Sequence, residues 1–210
     1  ALTKVFELHE DERYRFAQDQ LRDTLYDTIG ASERAFAHTA VATELERRLD
    51  GRPLADAPLA TITAIASHYM AGGDAPRTIA TAIEAGRALT RFYALTDAQR
   101  FLEAGLALLR EADRAAGAEA GLAPLGEAEA APDAEPRRRL RFAYLQHLGD
   151  VCRMVGEVAR GAEVYVEALP LAEALAPARD VGALITSLAK CEQMAGRLPE
   201  ALGWCAKSLA

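Results

Sequence analysis

Apolar and polar residues alternate along two patterns in this chain. Val5-Phe6-Glu7-Leu8 alternates residue by residue, His9-Glu10-Asp11-Glu12 is wholly polar, and Arg13-Tyr14-Arg15-Phe16 alternates again, which predicts a short β-hairpin. From Gln18 the period lengthens to that of a helix. Leu21, Leu25 and Ile29 recur at four-residue steps up to Gly30, and Ser32 is the expected N-cap of a second helix whose apolar face carries Phe36, Ala40, Val41, Leu45 and Leu49. Asp50-Gly51-Arg52-Pro53 stops that helix, because glycine supplies a left-handed end and proline cannot extend the hydrogen-bond ladder.

Helical hairpins are predicted next. Leu59, Ile62, Ile65, Ala66 and Tyr69 form one stripe ending at Gly72-Gly73, and Asp74 with Pro76 opens a helix carrying Ile79, Ala82, Ile83, Ala85 and Leu89. Thr96-Asp97-Ala98-Gln99 has the spacing of a capping box ahead of Phe101, Leu102, Leu106 and Leu109. From 113 to 136 the large apolar residues thin out to Leu122 and Leu125 among Ala, Gly, Glu and Pro, which predicts a flexible linker. Beyond it the chain repeats itself. Leu148-Gly149, Cys152, Gly156, Tyr165 and Ala168-Leu169 match Leu188-Ala189, Glu192, Gly196, Cys205 and Ser208-Leu209, with the two turn glycines 40 residues apart. A two-helix unit has too little core of its own, so units repeated in this way stack into a solenoid.

Composition supports helix throughout. Roughly a fifth of the 210 residues are alanine, against 15 Gly and 9 Pro. A net charge of −7 argues against a general role on phosphate backbones or anionic membranes, whose fields would repel the chain. Cys152, Cys191 and Cys205 form no CxxC pair and leave one thiol over in any disulfide scheme, which fits a reducing cytoplasmic setting. The first residues form no apolar targeting core, and the missing initiator Met together with an end inside an apparent helix suggests a piece of a longer protein.

Little in the sequence points to catalysis or metal chemistry. His9, His38, His68 and His147 are scattered over different elements without metal-ligand spacing, and Cys152 and Cys205 occupy repeat positions expected in the core. Arg137-Arg138-Arg139 with Arg141 lacks interleaved aromatics and reads as a solvated face, balanced by Glu127, Glu129, Asp133 and Glu135, rather than as a nucleic-acid contact. No GxxxxGK[ST] phosphate loop occurs. The chain is therefore expected to be no enzyme and to hold no cofactor and no metal. One polar stripe recurs: Gln146, Asp150 and Arg153 on the first helix of one repeat, and Thr186, Lys190 and Gln193 on that of the next. Every amphipathic helix has a polar side, so an ordinary solvated face and a binding face are both open readings of it.

The repeat residues resemble a tetratricopeptide array: Leu148-Gly149, Gly156, Tyr165 and Ala168-Leu169 match its small and large positions, and Gly196-Arg197-Leu198-Pro199-Glu200-Ala201 its turn and second-helix start. Ser67 to Asp74 is similar to a looser, earlier copy. Arg13-Tyr14-Arg15-Phe16-Ala17-Gln18-Asp19, Leu21 to Tyr26, Glu33-Arg34, His38 and Val41-Ala42 resemble the junction that follows the nucleotide-binding core of large signal-transducing ATPases, where a winged-helix unit leads into such repeats. The resemblance implies an all-α helical-hairpin solenoid behind a short hairpin. It divides the chain into a winged-helix remnant with junction helices (1–52), degenerate repeats (57–112), the linker (113–136) and tetratricopeptide-like repeats (137–210). It implies a regulatory, protein-interaction role beside an upstream nucleotide-binding domain, with the polar stripe lining a concave peptide-binding surface; the alternative is a free-standing adaptor. The expected partner is a protein or peptide, with neither nucleic acid nor membrane. Self-association is expected through the last helix, where Leu202, Cys205 and Leu209 would be covered by a further repeat.

Overall fold

The structure, a computed structural model, describes residues 6–8, 14–16, 19–120 and 134–208. Strands β1 (Phe6–Leu8) and β2 (Tyr14–Phe16) pair antiparallel, with Phe6 opposite Phe16; the polar turn expected between them lies outside the described residues. The rest is helical: α1 (Asp19–Thr28), α2 (Ala31–Arg47), α3 (Leu59–Gly72), α4 (Ala75–Arg91), α5 (Leu95–Ala120), α6 (Ala134–Val155), α7 (Val158–Leu175), α8 (Ala178–Met194) and α9 (Leu198–Ser208). From α2 to α9 each helix packs on the next. Among next-but-one helices, α4 meets α6 and α6 meets α8 along thin seams, and side chains also reach from α4 to α2, Arg77 to Glu46, and from α5 to α7, Arg110 to Glu167 and Glu103 to Arg160. That pattern makes the fold all-α and solenoid-like. No helix among the described residues is long and apolar enough to cross a membrane.

Turn chemistry explains where the helices stop. Gly73, Gly156 and Gly196 all have positive φ at helix ends, the conformation glycine adopts without a Cβ penalty. Asp74 caps α4 by accepting from the Arg77 backbone N–H at 3.0 Å, as its position before Pro76 predicts. Two other caps differ from expectation. α2 starts one residue before Ser32, with Gly30 at the cap position and no side-chain cap bond, and α5 starts at Leu95, which puts Thr96 inside the helix. Of the expected linker 113–136, the two ends are helical, since α5 runs through Ala120 and α6 opens at Ala134. Alanine's helix propensity lets α5 extend where no large side chain demands it. Residues 121–133 lie outside the described residues.

One continuous apolar core runs from Ile62 in α3 to Cys191 in α8, so the expected boundary between 112 and 137 does not separate two cores. Close approaches across it are made at glycines. A Cβ on Gly105 of α5 would lie 2.2 Å from the Tyr144 hydroxyl of α6, and that fully buried hydroxyl donates to the Ile79 carbonyl of α4 at 2.6 Å. A smaller cluster of Ala42, Ile65 and Tyr69 joins α2 to α3. There the Tyr69 hydroxyl donates to Glu46 at 2.6 Å, and Arg77 pairs with the same carboxylate. The expected face of α2 is only half used: Leu45 and Leu49 pack on this cluster, while Phe36 is 77% exposed and Val41 is exposed as well. Phe36 and Val41 stand about 140° apart around α2, on either side of the strip of Ala42, Leu45 and Leu49 that packs on α3.

Candidate functional site: the face shared by α4, α6 and α8

The seams between alternate helices mark α4, α6 and α8 as the first helices of successive hairpins. Counting back seven residues from the positive-φ residue of each turn gives Gly86 from Tyr93, Gly149 from Gly156 and Ala189 from Gly196. Sixteen residues after each of these stand Leu102, Tyr165 and Cys205 on the second helices. A Cβ on Gly86 would meet Leu102 at 2.6 Å, and one on Gly149 would meet Tyr165 at 2.5 Å. The earlier repeat therefore turns at Phe92-Tyr93, whereas Gly72-Gly73 joins one hairpin to the next. Tyr93 hides this in the sequence, because an aromatic stands where the later turns have glycine.

In this register the predicted stripe falls into matching places. Gln146, Asp150 and Arg153 on α6 are half-buried, and Thr186, Lys190 and Gln193 on α8 are exposed. The same offsets on α4 give Ile83, Arg87 and Thr90; Ile83 is buried in the core, so Arg87 and Thr90 alone continue the stripe there, a third row that sequence reasoning missed because residues 121–133 interrupt the spacing. Arg87 ties the rows together. Its Nε donates to Nε2 of His147 on α6 at 2.8 Å, and its Nη1 pairs with Glu84 at 2.9 Å. Burial, reinforced by the Arg87 cation, holds His147 below the usual imidazole range, so the ring is a neutral acceptor here. Asp150 accepts from the Tyr165 hydroxyl at 2.7 Å and stands 3.8 Å from Arg153, whose Nε is buried and unpartnered. Thr186 folds its hydroxyl onto the Gly182 carbonyl at 2.8 Å. Lys190 and, one turn beyond Arg87, the exposed Arg91 have no ion-pair partner among the described residues.

Other candidates resolve differently. Arg137 and Arg141 face Asp113 of α5 at 3.9 and 3.7 Å, Arg141 also bonds Glu167 of α7 at 2.7 Å, and Arg139 pairs with Glu135 at 2.6 Å. Among the described residues the basic cluster is thus largely spent on belting three helices together through Asp113 and Glu167, with Glu135 pairing Arg139; Glu127, Glu129 and Asp133 lie outside the described residues. Cys152 and Cys191 are buried, and burial raises both thiols, Cys152 to about 11. Cys205, expected in the core, is exposed. It shares the register position of Tyr165, but Tyr165 is covered because α8 packs against α7, and no described helix packs beyond α9.

The histidines are less scattered than their numbering suggests. Nδ1 of His38 lies 2.8 Å from Nδ1 of His68, and the Tyr26 hydroxyl lies 2.8 Å from Nε2 of His38, a chain of hydrogen bonds from α1 through α2 to α3. Burial, then the neighbouring ring, holds His68 below its usual range. Such spacing is that of hydrogen-bonded rings, and no group of three or more metal-ligating side chains occurs among the described residues. On the side of the second helices, an open cleft of about 370 Å³ lies between α3 and α5 over Leu89, beside one of about 620 Å³ along α5, and Arg100 lines both. No carboxylate pair, nucleophile and base, or anion cradle converges in either. The second helices also present polar groups side by side, but there Glu103 is paired with Arg160 and Arg110 with Glu167. The face of α4, α6 and α8 instead keeps Arg91 and Lys190 without an ion-pair partner among the described residues. Neither a protein-family model nor a curated protein matches the chain.

Proposed function

We propose that this chain is a non-catalytic protein-interaction and regulatory region built of tetratricopeptide-like repeats, which holds a protein or peptide partner on the face of α4, α6 and α8. The observation that carries the reading is the common register of three first helices, which brings Arg87, Asp150 and Lys190 to equivalent places on one surface. A surface repeated from unit to unit suits an extended partner, since each unit offers the same spacing of polar groups to the next stretch of it. In this reading the paired strands β1 and β2 with α1 and α2 are the remnant of a winged helix and its junction. They join the repeats to an upstream nucleotide-binding domain of a cytoplasmic signalling ATPase, whose output is a transcription regulator, cyclase or kinase.

Two experiments test the proposal. Calorimetry of the purified chain with MgATP should give no binding heat, and micromolar affinity would refute the non-catalytic assignment. Affinity purification of the native full-length protein from its host should recover a partner that is lost with Thr186→Trp, a bulky change at an exposed position. Recovery of the same partner with that variant would remove the face from the account.

A further inference from the structure

The turn-proximal end of this face sets cations without an ion-pair partner among the described residues beside exposed methionines. Three rows run along it at four-residue steps: Arg87-Arg91 on α4, where Ile83 one turn back is buried, Gln146-Asp150-Met154 on α6 and Thr186-Lys190-Met194 on α8. The carboxylates in and beside these rows are already engaged, Glu84 by Arg87 and Asp150 by the Tyr165 hydroxyl. The cations are less so. Arg91 and Lys190 are exposed and have no ion-pair partner among the described residues, and Arg153 reaches only to 3.8 Å from Asp150. In a chain of net charge −7, this end therefore presents unspent positive charge. Beside it Met154 and Met194 are both exposed, at equivalent places one helical turn past Asp150 and Lys190. Methionine is an adaptable apolar contact, suited to side chains of varied shape.

Resting on the binding role proposed above, we infer that this end of the face takes an acidic peptide segment that also carries apolar side chains: carboxylates meet Arg91, Arg153 and Lys190, and the apolar groups lie on Met154 and Met194. Charge complementarity selects this occupant over a basic or neutral one. A single-stranded nucleic acid is also anionic, and the exposed rings of Phe92 and Tyr93 follow Arg91 in the chain, but the rows on α6 and α8 carry no ring on which further bases could stack.

The test pans a library of displayed random peptides, about 12 residues long, on the intact chain. The counter-selection uses Arg91→Glu/Lys190→Glu, whose two sites are exposed and internally unpaired, so that its circular dichroism and urea midpoint should match the parent. Enriched peptides should be net acidic with at least two large apolar residues. A synthetic copy should bind about tenfold more weakly to the double variant and to Met194→Asp, and should lose affinity between about 50 and 500 mM salt. Enrichment of neutral or basic peptides, or binding unmoved by the double variant, overturns the acidic assignment. If such peptides are nevertheless lost with Thr186→Trp, the face still binds and only the chemistry inferred for its partner fails. If nothing enriches on the chain above Thr186→Trp, both readings fail. Tighter binding of a single-stranded oligonucleotide than of any selected peptide, weakened by the double variant, would assign the cations to nucleic acid instead.

Discussion

Replacing Gly149 with alanine probes the contact that fixes the register of α6 against α7. The added methyl would sit 2.5 Å from Cε1 of Tyr165 and 2.8 Å from Cδ1 and Cζ, where carbon atoms normally rest about 3.5–4 Å apart. Tyr165 is 1% exposed and its hydroxyl is held by Asp150 at 2.7 Å, so the ring cannot swing aside without giving up a hydrogen bond. Overpacking of this kind costs about 1–3 kcal/mol, and losing the hydrogen bond adds about 1 kcal/mol. Alanine's better helix propensity returns about 1 kcal/mol, for a net loss of about 1–3 kcal/mol. Gly203 in α9 is the control: it is exposed, a Cβ there meets nothing within 4 Å, and the same substitution should stabilise by about 0.5–1 kcal/mol. Urea unfolding followed by circular dichroism should thus move the two midpoints in opposite directions. With Tyr165→Leu in the background the penalty at Gly149 should disappear, since the clashing ring is gone. A Gly149→Ala midpoint that rises like that of Gly203→Ala would refute the reasoning, because α6 and α7 would then not approach at this residue.

Two further outcomes follow from the same structure. His68 and His147 are both held below their ordinary value in the folded chain, so the unfolded chain takes up protons first as pH falls below about 6.5. Stability should decline from about pH 6.5 towards pH 5, and His68→Gln/His147→Gln should flatten that decline; a midpoint insensitive to pH in this window would contradict the burial of the two rings. The window lies above the range where Glu44, lowered to about 2 by its hydrogen bonds to Arg47 and Arg48, begins to matter. On α9, Leu198 and Leu202 are exposed, Leu202 at 70%. Leu202→Glu should leave the urea midpoint within about 0.5 kcal/mol and weaken any concentration-dependent association seen by sedimentation, whereas unfolding on this change would mean that the side chain is packed.

Local signals in the sequence carried much of the fold. Asp74 before Pro76 and the glycines at 73, 156 and 196 mark helix ends because their chemistry acts within a few residues. The stripes from Ile62 to Leu109 mark helix faces because burial follows the 3.6-residue period. The stripe Gln146-Asp150-Arg153 was legible for the same reason. What was not legible depends on residues far apart in the chain. Nothing in a local pattern brings His38 to His68, Arg87 to His147, or Asp113 and Glu167 to Arg141. The Tyr69 hydroxyl joins α3 to Glu46 of α2 with an equally silent signature. The third row of the candidate site was hidden twice over, by the residues interrupting the repeat and by Tyr93 in the place of a turn glycine.

Hydrogen exchange of the intact chain, with and without a saturating peptide selected on it, tests most directly whether the first helices form the binding face. The account predicts slowed exchange in 83–91, 146–154 and 186–194, with α3 and α5 unchanged. Protection confined to the clefts along α3 and α5, or to α2, would contradict it.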